Sequence, residues 1–130
     1  MNTIWHFVIS FILVLPFGWK TALIVALGSI LIDIDHLYLP ISLRKTSKKQ
    51  VIKLWRQETK HHRPHFFLFH TIEFIILFLI TSYFINYYLF LIAIGFFLHL
   101  VEDIVCYILY YKSLKPWANY LSLIAYLSKK

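Results

Sequence analysis

The sequence predicts an all-α fold, an integral membrane four-helix bundle with a basic cytoplasmic loop and a short C-terminal interfacial helix. Three observations carry that prediction. The 130 residues are 60% hydrophobic and 19% aromatic, with a mean hydropathy of +0.70. A soluble domain is about 45–50% apolar. Only 15% of the residues are charged, too few to cover a water-facing surface. The apolar residues also fall into four long runs separated by turn signals, as membrane helices do.

Residues 3–17 form the first run, which closes at Pro16-Phe17-Gly18. It is short for a full span, so a tilted or partly inserted helix is expected. It lacks a basic leader and a small-residue cleavage site, and reads as a retained helix rather than a signal peptide. Residues 21–39 form the second run and stop at Pro40, giving a helical hairpin with the first. Residues 41–64 are polar and basic. Within them Val51, Ile52, Leu54 and Trp55 recur at helical spacing, so 48–60 reads as an amphipathic interfacial helix or a plain connector. Residues 66–86 make the third run, and Asn86-Tyr87-Tyr88 a tight turn. Residues 89–111 make the fourth, with Tyr107, Tyr110 and Tyr111 as an aromatic belt. The segment 116–127 is apolar but too short to span, and is expected to lie in the interface or pack on the bundle. The whole chain, 1–130, reads as a single transmembrane domain without internal repeats.

Net charge is +7, and eight of the 13 Lys and Arg fall between Arg44 and Arg63. Positive loops stay in the cytoplasm, so this loop and both termini are expected there, in a multi-pass inner-membrane protein. The same charges would attract anionic head groups, at about 1 kcal/mol each near the surface. Membrane lipids are therefore expected partners. No recognition motif supports nucleic-acid binding. Cys106 is the only cysteine, which excludes an internal disulfide and a thiolate metal cluster.

Five of the six acidic residues lie in or at the ends of apolar runs, and most are one helical turn from a histidine. An Asp at the centre of a membrane helix costs roughly 2.5–3.5 kcal/mol unless it is paired or metal-bound. Asp, Glu and His together are hard and borderline metal ligands. In the fourth run His99 and Asp103 stand four apart on one helical face, with Gly95 one turn before His99, and Glu102, three from His99, reads as a ligand, a group that holds a ligand or a surface carboxylate. Gly95 would let a neighbouring helix approach closely. A buried His–Asp hydrogen bond that locks helices together is the plainer reading of that pair. In the second run Asp33 and His36 share a face, and Asp35 adds a second carboxylate that favours a cation between the two. In the third, His70 and Glu73 repeat an i, i+3 pattern used by carboxylate-bridged metals in bundles. His65 runs into the same apolar segment, while His61 and His62 beside Arg63 read as interfacial basic residues. His6 opens the first run. The expected topology brings all of these to the cytoplasmic side, so a His and carboxylate metal site between helices is expected, with one or two ions of Zn, Mn, Fe or Mg.

These clusters, in this order, resemble a family of small inner-membrane metal-dependent hydrolases. Its motifs run approximately Gly-Ser-x-x-Pro-Asp-x-Asp-His, His-Arg-Gly-x-Thr-His-Ser and Gly-x-x-x-His-x-x-x-Asp. Gly28 to His36 match the first, with Ile32 in place of Pro. Gly95, His99 and Asp103 match the third. In the second only His65 and His70 keep their separation. Thr71 replaces Ser, and Phe66 and Phe67 stand where Arg and Gly would be. The family pattern is distantly similar to zinc-dependent phospholipase C. The resemblance implies that His6, Asp33, Asp35, His36, His65, His70, His99 and Asp103 are metal ligands or their partners, with zinc the first choice. It also implies hydrolysis of a phosphoester or another lipid-borne ester. In such chemistry Glu73 or Glu102 would be the catalytic base, and Arg63 would take the anion-binding place of the missing Arg. A membrane di-iron oxidase or hydroxylase, and a non-enzymatic metal-binding regulatory or transport protein, are the alternatives.

Overall fold

A helix that ends in Pro-Phe-Gly must reverse there, because proline fixes its own φ and glycine accepts the left-handed region. The computed structural model shows this reversal first, and it describes residues 3–34, 67–111 and 121–127. Helix α1, Thr3–Val14, runs into a 3-10 turn at Leu15–Phe17. Gly18 follows at φ 109°, and α2, Trp19–Leu31, returns alongside α1. Helix α2 ends earlier than the apolar run that encodes it. Residues 32 and 33 form a turn, and the expected continuation to residue 39 lies outside the described residues beyond Ile34. So does the interfacial segment 48–60.

The third helix departs from expectation at its start. The expected helix from residue 66 begins instead at Ile72, giving α3, Ile72–Ile85. Leu68–His70 form a separate 3-10 turn, and Thr71 is extended at φ −84° and ψ 142°. The reason is capping. Thr71 Oγ1 accepts from the Phe74 N–H and donates to the Leu68 carbonyl at 2.8 Å, which makes Thr71 an N-cap rather than a helical residue. Asn86 then separates α3 from α4, Tyr87–Tyr111, and its Oδ1 accepts from the Tyr88 N–H at 2.8 Å. A five-residue helix, α5, Leu123–Leu127, closes the described chain.

All described elements are helical. Among the described residues only α4 is long and apolar enough to cross a membrane, over Tyr87–Leu109. Its 25 residues reach about 37 Å against a hydrocarbon core of about 30 Å. The 14 residues of α3 reach only about 21 Å. Among the described residues four helices of 12 residues or more are present, as expected, but three are shorter than a span.

Helix α2 packs on both α1 and α4, and α3 packs on α4. The tightest approach is between α2 and α4. A Cβ on Gly95 would run into the Val25 carbonyl and lie 2.7 Å from the Ser29 nitrogen. One on Gly28 would lie 2.9 Å from the Ile92 Cα. Only glycine fits at both positions. Small residues at a crossing let helix backbones approach closely. Ile32, Ile75, Phe96, Leu100 and Leu121 make a buried core between α3, α4 and the C-terminal segment. Tyr107, expected in an interfacial belt, is buried instead.

Gly95→Ala is expected to destabilise the protein by about 1–3 kcal/mol, because its methyl meets backbone that cannot yield. Leu109→Ala, on an exposed face of α4, is the control and is expected to change stability by less than about 0.5 kcal/mol. Thermal unfolding in detergent checks both. Equal midpoints for the two variants would contradict the close crossing.

Candidate metal centre

Five of the sequence-predicted residues meet at one place. His6 comes from α1, Asp33 from the turn after α2, His70 from the 3-10 turn before α3, and His99 and Asp103 from α4. His6, His99 and Asp103 form one group with ligand atoms within 4.8 Å of one another. Asp33, His70 and His99 form a second, and His99 belongs to both.

The close crossing of α2 and α4 orients His99. Its Nδ1 lies 2.6 Å from the Ser29 carbonyl, and a carbonyl only accepts, so Nδ1 carries the proton. In the neutral ring Nε2 then has the lone pair, and it faces Asp33 Oδ1 and Asp103 Oδ2, each at 3.4 Å. His6 is arranged in the same sense. Its Nδ1 donates to Glu102 Oε2 at 2.7 Å, and its Nε2 faces Asp103 Oδ1 at 3.2 Å. The two rings stack with centroids 3.7 Å apart. His70 Nε2 lies 3.6 Å from Asp33 Oδ1.

Two imidazoles thus have one nitrogen tied to an outer acceptor and the other turned toward carboxylates. Metal-binding histidines are held in this way. The distances divide accordingly. The outer contacts, 2.6 and 2.7 Å, are hydrogen bonds, whereas the inner ones run from 3.2 to 3.6 Å. A tetrahedral ion with bonds of about 2.1 Å keeps its donors about 3.4 Å apart. The residues present therefore fit a metal ion by donor type, by spacing and by tautomer.

Polar residues unforeseen in the sequence hold the carboxylates. Ser10 donates to Glu102 Oε1 at 2.9 Å, and Thr3 donates to Asp33 Oδ2 at 2.7 Å. Thr3, His6 and Ser10 stand at helical spacing on an otherwise apolar α1. That stripe was a readable sign of a polar face toward the bundle.

Both expected general bases are engaged elsewhere. Glu102 is buried between His6 and Ser10. Glu73 does not share a face with His70, because Thr71 breaks the helix between them. Its carboxylate takes the Ser122 hydroxyl and the Leu123 N–H at the start of α5. Asp35, His36, Arg63 and His65 lie outside the described residues.

No protein family, curated protein or solved structure matches this chain. The likeness to membrane hydrolases rests on the three motifs alone.

Glu102→Gln leaves an acceptor for His6 Nδ1 but removes the charge that strengthens that bond. It is expected to weaken zinc binding about tenfold, in the range that outer partners of metal histidines contribute. Competition with a chromophoric chelator measures this. Unchanged affinity would contradict the orienting role of Glu102.

Proposed function

We propose that the protein is a membrane-embedded metal-dependent hydrolase acting on a phosphoester or another lipid-borne ester near the cytoplasmic face. The convergence of three imidazoles and two carboxylates from four separate elements carries this reading. When bound, a divalent ion such as zinc would lower the pKa of a water toward about 7 and polarise an ester oxygen. The chain's own groups supply the rest. The side chains of His6 and His99 are each 1% exposed, while those of Asp33 and Asp103 keep 17% and 13%. Water and substrate therefore approach over the carboxylates. Thr3 fixes Asp33 Oδ2 and leaves Oδ1 turned toward the two imidazoles of His70 and His99.

A multi-pass inner-membrane location with both termini cytoplasmic belongs to the same proposal. Large apolar side chains stand exposed on every helix, among them Trp5, Leu27, Phe84 and Leu109. Soluble monomers rarely expose contiguous apolar patches beyond a few hundred Å². The basic residues from Arg44 to Arg63 in the sequence would gather anionic head groups.

The donor set favours hydrolysis over two-metal oxygen chemistry. Both groups of ligands use His99, whose Nε2 has one lone pair, so the described residues make one ion site. A second reading has one observation behind it. Five donors exceed the four of a closed tetrahedral site, and closed sites tie a structure together without catalysis.

Protein stripped with chelator and reloaded with zinc, in mixed micelles, distinguishes the two. Turnover of phosphodiester or phospholipid substrates is expected only in the loaded form. His99→Ala and Asp103→Ala are each expected to lower it by about 100-fold or more. Full metal loading without turnover of any phosphoester or carboxylester would overturn hydrolysis and leave the structural tie.

A further inference from the structure

The C-terminal segment and α3 cap each other. The first N–H of α3, on Ile72, donates to the Leu121 carbonyl at 2.8 Å. One residue on, Glu73 reaches the other way. Its oxygens accept from the Ser122 hydroxyl and from the N–H of Leu123 at 3.0 Å. Leu121 is buried in the core beside Ile32, the residue before Asp33, and Ile75. These contacts flank the break at Thr71 that turns His70 away from the α3 axis and toward Asp33. If α3 ran one turn further toward its N-terminus, His70 would project from α3 on the same side as Glu73.

We propose that Glu73 is a positioning residue for the metal centre. It latches the C-terminal segment across the start of α3, and so holds His70 at the ion. The inference rests on the metal site argued above and extends it. An acidic residue in an apolar helix is accounted for without placing it in the reaction, and the C-terminal segment becomes part of the site's framework.

The test is a double-mutant cycle on zinc affinity in the full-length protein, read by chelator competition, with helicity followed by circular dichroism. Glu73→Ala is expected to weaken zinc binding about tenfold. In a His70→Ala background the same substitution is expected to change affinity less than about twofold, because its only route to the ion is gone. Ser122→Ala removes a single contact of the latch and should show a smaller loss with the same dependence on His70. It serves in place of Glu73→Ala should that variant lose helicity. Equal losses with and without His70, or wild-type affinity in both latch variants, would overturn the proposal. A wild-type protein that takes up no zinc would overturn the site itself, and the latch role would fall with it.

Discussion

The contact between α2 and α4 at Gly28 and Gly95 is the constraint on which the site depends. Without Cβ atoms at these positions the two backbones come close enough for the Ser29 carbonyl to reach His99 Nδ1. That one hydrogen bond fixes the tautomer and turns Nε2 inward. Asp103 follows one turn later on the same helix, and Asp33 follows Ser29 past the end of α2. A side chain at either glycine would separate the helices and part His99 from the Ser29 carbonyl and from Asp33. A local rule of close helix packing is therefore also the rule that brings these side chains together.

Around that crossing the polar groups form two layers. The inner layer is His6, His70, His99, Asp33 and Asp103. The outer layer is Glu102, Thr3 and the Ser29 carbonyl, each bonded to an inner member, with Ser10 behind Glu102. Burying this many polar groups is tolerable only when each is satisfied. A cation between the two inner carboxylates also meets the electrostatic need that they create. Ligand geometry and helix packing are in this sense one requirement, since removing an outer member both loosens a ligand and strands a buried polar atom.

Much of this was legible in the residues. Periodicity and hydropathy placed the helices of the bundle, and Pro16-Phe17-Gly18 and Asn86 marked two of the turns. The i, i+4 spacing of His99 and Asp103 and the small side of Gly95 were read correctly from one helix alone. What the spacing leaves open has two causes, one local and one long-range. His70 and Glu73 were paired because they stand three apart in an apolar run, but the Thr71 side chain caps the helix between them, and a cap depends on local bonding that periodicity does not register. From its spacing Glu102 reads equally as a ligand, a group that holds a ligand or a surface carboxylate. Its actual partner, His6, is 96 residues away and could be assigned only once α1 was placed against α4. The Thr3, His6 and Ser10 stripe did announce that contact.

Elemental mass spectrometry of protein purified without a histidine tag, beside the His99→Ala variant, tests the central claim most directly. The account predicts a near-stoichiometric divalent metal in the wild type and its loss in the variant, whose crossing at Gly28 and Gly95 is unaltered. A wild-type protein that carries no metal after gentle purification, and takes up none when zinc, manganese or iron is supplied, would contradict it. The inner histidines and carboxylates would then be a packing network between helices.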